Sequence, residues 1–249
     1  MIGRMTRTRT ALFAIALAST GVLASCSNDI DGSATPTRVT EQSVSTTRTT
    51  PDAWLTTIIP TGDELSKVVG RRVRVDGIPP LLGGVDDLRD TAAGAAITNS
   101  SCIAVTSPLE KQAYAAAPVR AVTYMTQSKI TTGAVWLSSE NDAQALFANL
   151  SDEWQECDGA SYTSSTGGLR FDYQITEVKS TNDVISAVVR VTSAGGLPVR
   201  TERALGIAKD CIVEAEVPVA ASPPGALDES HAATDLVETM MSKVKTAPR

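Results

Sequence analysis

Cys26 carries the most explicit chemistry in this sequence, because Leu23-Ala24-Ser25 stand directly before it. These residues form a lipobox, in which the cysteine thiol takes a diacylglyceryl group as a thioether before the leader is removed. The upstream residues have the matching build: Arg4, Arg7 and Arg9, then an apolar run from Ala11 to Leu17, then small residues. That order describes a secretory signal peptide over residues 1–25. The run is too short to span a hydrocarbon core of about 30 Å, which takes roughly 20 apolar residues. Cys26 is therefore expected to become a lipidated N-terminus on the extracytoplasmic face of the cell membrane. One acyl chain gives marginal binding and two or more give a stable anchor, so diacylglyceryl and palmitate-type chains would suffice.

The other reactive side chains mostly exclude functions. His231 is the only histidine, and no His/Cys cluster has the spacing of a zinc site. A serine or cysteine hydrolase would have to use His231, which follows Asp228-Glu229-Ser230 at the start of a helical pattern and reads as a solvated first turn. Gly83-Gly84, Gly167-Gly168 and Gly195-Gly196 lack the spacing of phosphate-binding loops and read as turns. Glu214 and Glu216 share one strand face, the only hint of a carboxylate pair for sugar hydrolysis. Adjacent glutamates of this kind are expected to be solvated. No catalytic residue, cofactor or metal site is assigned, and the chain is expected not to be an enzyme. Beyond Cys26 three cysteines remain, Cys102, Cys157 and Cys211, and from spacing alone all three pairings are open.

Charge narrows the partners. Removing residues 1–25 takes away three arginines and no carboxylate, leaving 19 Lys and Arg against 28 Asp and Glu, a net of −9. An acidic, aromatic-poor chain is a poor binder of nucleic acid. It is also expected to be weakly repelled by anionic headgroups, so that lipid rather than basic residues holds it to the membrane.

Positioning elements follow from pattern. Residues 26–52 comprise the lipidated cysteine and a Ser/Thr-rich tether with too little apolar content to fold. The domain covers residues 53–246. Thr61-Gly62-Asp63-Glu64 has capping-box spacing before Leu65, Val68 and Val69, and Gly70 suits the helix end. Arg72-Val73-Arg74-Val75 alternates like a strand, and residues 76–100 read as a long loop. Strands are expected over 119–125 and 133–137, then a helix over 140–154 with Ala143, Leu146, Phe147, Leu150 and Trp154 on one side. Four strands follow at 170–178, 183–192, 199–207 and 211–217, the last two forming a hairpin near Lys209. A final helix over 228–244 has the stripe Ala233, Leu236, Val237, Met240, Met241 and Val244. This order points to α+β: a single domain with an antiparallel sheet and helices packed against a face of it.

At these residues a family resemblance becomes specific. Val135-Trp136-Leu137, Ala143-Gln144-Ala145-Leu146-Phe147 and Trp154-Gln155-Glu156-Cys157 resemble a strand, A-x-A-x-x-F and W-x-x-C series. That series belongs to the extracellular sensor domain of PknH-type mycobacterial Ser/Thr kinases, which many actinobacterial lipoproteins share without a kinase. Thr201-Glu202-Arg203-Ala204-Leu205 resembles the family's C-Q-R-A-L strand, residues 210–217 the strand after it, and Pro60 to Leu65 its opening helix. The resemblance implies a disulfide between Cys102 and Cys157. It also implies that the family's second pair is missing at both ends, where Thr201 and Pro218 stand. Cys211 is then extra, and alternation places it with Val213, Ala215 and Val217 on the apolar side. The implied function is a non-catalytic ligand-binding or sensor domain of the envelope, for a small molecule, a glycolipid or an envelope polymer. A monomer is expected. The alternatives are a protein-interaction module and, last, a carboxylate-dependent hydrolase.

Overall fold

Helix α1 (Gly62–Val68) begins where the capping box places it. The Thr61 hydroxyl accepts the Glu64 N–H at 3.3 Å, and the Glu64 carboxylate accepts the Thr61 N–H at 2.7 Å. The computed structural model describes residues 52–219 and 231–248. The leader, the lipobox Leu23-Ala24-Ser25, Cys26, nearly all of the tether and residues 228–230 lie outside the described residues. Everything described falls within one unit, Thr47–Arg249.

Nine strands form one antiparallel sheet among the described residues. They are β1 (Leu81–Gly83), β2 (Ala96–Ile97), β3 (Val119–Gln127), β4 (Ile130–Leu137), β5 (Ser161–Thr166), β6 (Leu169–Ser180), β7 (Val184–Ser193), β8 (Val199–Ala208) and β9 (Cys211–Val219). Their spatial order is β1-β3-β4-β9-β8-β7-β6-β5-β2. The chain leaves β4, crosses the sheet as α4 (Glu140–Glu156), and returns as a meander whose last strand, β9, pairs with β4. Two short helices, α2 (Ile103–Thr106) and α3 (Lys111–Tyr114), precede β3, and α5 (Ala232–Thr246) closes the chain.

Both faces of the sheet are covered. Along β9, Cys211, Val213, Ala215 and Val217 pack in the core of α5 and α1, while Ile212 packs in the core of α4 and α2. The α5 stripe is buried throughout, and so are Ala143, Phe147, Leu150 and Trp154 of α4. Cys211 is a buried thiol, and Cys102–Cys157 is a disulfide tying the start of α2 to the end of α4.

Three local expectations change. Residues 72–75 pair with no strand, because the Val73 N–H donates instead to Ser66 Oγ at 2.9 Å. The loop expected over 76–100 holds the two edge strands β1 and β2, which are only three and two residues long. Strand β5 is new: Ser-Tyr-Thr-Ser-Ser-Thr has a single large apolar residue, Tyr162, to signal it.

Candidate functional site

Strand β8 delivers two adjacent charged residues to opposite faces of the sheet. Arg203 points to the α4 face and is fully buried. Its Nη2 donates to Glu214 Oε2 at 2.7 Å, and its remaining bonds go to backbone carbonyls: Nε to Val105 at 2.9 Å, Nη1 to Ala215 at 3.0 Å and Nη2 to Ala104 at 3.3 Å. The guanidinium also lies 5.4 Å from the Trp154 ring centre. Carbonyls in the last turn of a helix lack intrahelical partners, and a cation satisfies those of α2 here. Glu214 Oε1 completes the network, accepting the Leu109 N–H at 3.1 Å and the Tyr114 hydroxyl at 2.5 Å. Burial first, and then the Glu214 carboxylate, push Tyr114 well above its usual pKa. Leu109 takes φ +57 to present that N–H, and it rests on Gly133, where a Cβ would overlap the Leu109 side chain.

Glu216 lies on the same face, and burial raises its pKa against the opposing pull of Arg203 and Arg89. Glu214 and Glu216 are therefore not the solvated pair the sequence suggests. The face they share is covered by α2 and α4, so charge there is tolerated only with partners. Glu110 is buried nearby, and its Oε2 accepts both the Thr91 N–H, at 3.1 Å, and the Thr91 hydroxyl. This network holds structure in place; it offers no pair of carboxylates across a cleft.

Glu202 points the other way, toward α5. It is 6% exposed and accepts the Ala233 N–H at 3.3 Å, capping the helix start from a neighbouring strand. Beside it lies a cavity of about 100 Å³ lined by Glu177, Lys179, Arg200, Glu202, His231 and Thr234, among others. Arg200 meets Glu177 at 3.5 Å. Glu177 reaches the cavity because the β6 register shifts between Thr176 and Lys179, with Glu177 at φ +58. Larger depressions exist but open broadly to solvent: about 890 Å³ between α1 and residues 72–76, and about 480 and 440 Å³ on either side of the Thr181–Asp183 turn. The small cavity alone among these gathers both signs of charge around a buried carboxylate.

The family described as the PknH-like extracellular domain matches residues 50–243. The chain belongs to that family. The crystal structure of the extracellular domain of PknH from Mycobacterium tuberculosis shares the fold, with TM-score 0.66 and 15% identity over 79% of this chain and 97% of that one. An X-ray structure of an uncharacterized Mycobacterium smegmatis protein is a more distant likeness, with TM-score 0.36 and 10% identity over 78% of this chain and 97% of the other. No curated protein sequence matches. The described part is thus an extracellular-type α+β domain, and no described helix is long and apolar enough to cross a membrane.

Within this PknH-like extracellular domain, β8 and β9 set Thr201 directly opposite Pro218. The two positions standing where a second cysteine pair is expected are cross-strand neighbours. His231 is exposed at the N-cap of α5, and it also lines the cavity with Glu202. No sequence pattern marks Arg203, Glu202, Tyr114 or Glu110 as a site residue.

Proposed function

We propose that this protein is an extracytoplasmic lipoprotein of the cell envelope. A leader over residues 1–25 exports it, acyl chains on Cys26 anchor it, and a tether carries a domain that binds a small polar ligand without transforming it. The binding part rests on one observation: Glu202, Lys179, Arg200 and His231 converge on a small, partly open cavity beside the start of α5. Ligand sites place a few polar groups to fix orientation. Opposite charges on one wall suit a zwitterion or a hydroxyl-rich group, including the polar end of an envelope glycolipid or polymer. Membership of the PknH-like extracellular domain family supports the extracytoplasmic placement. The hydrolase reading loses its residues, since Glu214 is committed to Arg203, Tyr114 and Leu109.

Amide-resolved NMR of the chain from Ser27 onward tests the binding, with glycine, a hexose and inorganic phosphate as probes. The expected result is a saturable shift of the Val188, Ala233 and Thr234 amides with at least one probe, weakened in Glu202→Gln. Unchanged amides with every probe would remove the cavity as the site.

A further inference from the structure

We infer that the end of the sheet formed by the β5–β6 and β7–β8 turns docks on an anionic lipid bilayer. Leu169, Leu197 and Val199 are 64, 89 and 54% exposed, three of the five large hydrophobic side chains so exposed among the described residues. They lie together: the Ala194 N–H donates to the Arg170 carbonyl at 3.3 Å, and Val199 pairs with Val191, which pairs with Tyr173. Gly167, Gly168 and Gly195 turn the chain at positive φ, so both tips are narrow and the leucines lead. Half-buried Phe171 and Tyr173 share the Leu169 side of the sheet.

Arginines stand near the apolar tip on the other face of the sheet. Arg170 follows Leu169, and Arg190 is in register directly opposite Arg200. Like charges facing each other across strands are destabilising, so this pair is unfavourable for the isolated sheet. Asp172 answers Arg170 at 2.9 Å and Glu177 answers Arg200 at 3.5 Å, while Arg190 has no carboxylate partner among the described residues. Arg200 lies three residues past Leu197, about 10 Å along a strand. Apolar side chains of a surface-bound element sink about 5–10 Å into the headgroup and acyl boundary. With the leucines at that depth, the exposed Arg190 stands near the level of lipid phosphates. In a chain of net charge −9 without its leader, Arg170, Arg190 and Arg200 against Asp172 and Glu177 make this end a local exception to the expected repulsion from anionic headgroups. Pairing of two copies through this end would bring Arg170 and Arg190 toward their own copies, so charge complementarity favours lipid over a second copy.

The test is cosedimentation of the chain from Ser27 onward, which keeps the whole family match, with vesicles of phosphatidylcholine plus phosphatidylglycerol or of phosphatidylcholine alone. The expected result is binding to the anionic vesicles, weaker by at least about tenfold on the neutral ones and for Arg190→Glu. The double variant Leu169→Asp/Leu197→Asp is expected to lose at least about tenfold in binding with an unchanged thermal midpoint, because both side chains are exposed. Equal binding by wild type and both variants, or no vesicle binding at all, overturns the inference. Concentration-dependent dimers that the leucine variant abolishes, without vesicle binding, would assign the surface to a second copy and also overturn it.

Discussion

Replacing Glu214 by Leu should be among the most damaging single changes in this domain. The carboxylate is 2% exposed and compensates the fully buried Arg203, while accepting two further bonds from Leu109 and Tyr114. Removing one partner of a buried ion pair costs about 3–5 kcal/mol, because the other charge stays buried without compensation. For a domain of this size, 1 kcal/mol moves the thermal midpoint by about 2–4 °C, so a drop of roughly 6–20 °C is expected. Arg203→Met should cost a similar amount. The double variant should cost about as much as either single change, not their sum, since the charge mismatch disappears and only the orphaned carbonyls and donors remain. Urea unfolding of the four proteins, with thermal melts, measures the cycle. A single-variant loss below about 1 kcal/mol, or an additive double variant, would refute the claim that this pair organises the α4 face.

Other consequences are equally direct. Cys157→Ser should destabilise the domain by about 4 kcal/mol, since the disulfide spans 55 positions and loop-closure entropy grows with that span. Urea melts read this value, and in denaturant the unsubstituted chain from Ser27 should titrate one thiol. Glu216→Gln should raise the thermal midpoint at pH 7 and change little near pH 4. Its raised pKa means that the stability it supports is present below the unfolded value and lost as pH rises through the folded one. An equal gain at both pH values would contradict this. Burial also raises Tyr114, Tyr162 and Tyr173, so each retains its proton in the folded state after the unfolded chain has lost it. Stability should then fall above about pH 10, by up to about 1.4 kcal/mol per pH unit for the fully buried Tyr114 and less for the other two, and absorbance titration should show Tyr114 ionising with unfolding.

Where local chemistry decides, the fold is legible in the residues. The Thr61–Glu64 capping box and the Ser139 cap of α4 depend on contacts within three positions, and the apolar stripe of α5 on a local periodicity. Strand β5 is illegible for the opposite reason: its polar residues form a strand because β6 and β2 pair with it, not through a hydrophobic face. Arg72–Val75 alternates as a strand should, yet has no partner edge, so its backbone bonds to side chains instead. The charged residues of β8 and β9 are the clearest lesson. Alternation alone cannot tell a solvated glutamate from one facing a buried arginine, because that depends on a helix covering the second face. The cavity at Glu202 is harder still. It needs the β6 register shift and the α5 N-terminus in one place, and those come from segments far apart in the chain.

Native mass spectrometry of the protein extracted from its own membranes tests the ligand-binding claim most directly. The expected result is a lipidated chain carrying a bound small molecule that is lost in Val188→Trp, which fills the cavity. A wild-type chain with no bound mass, or a variant that keeps the same mass, would contradict it.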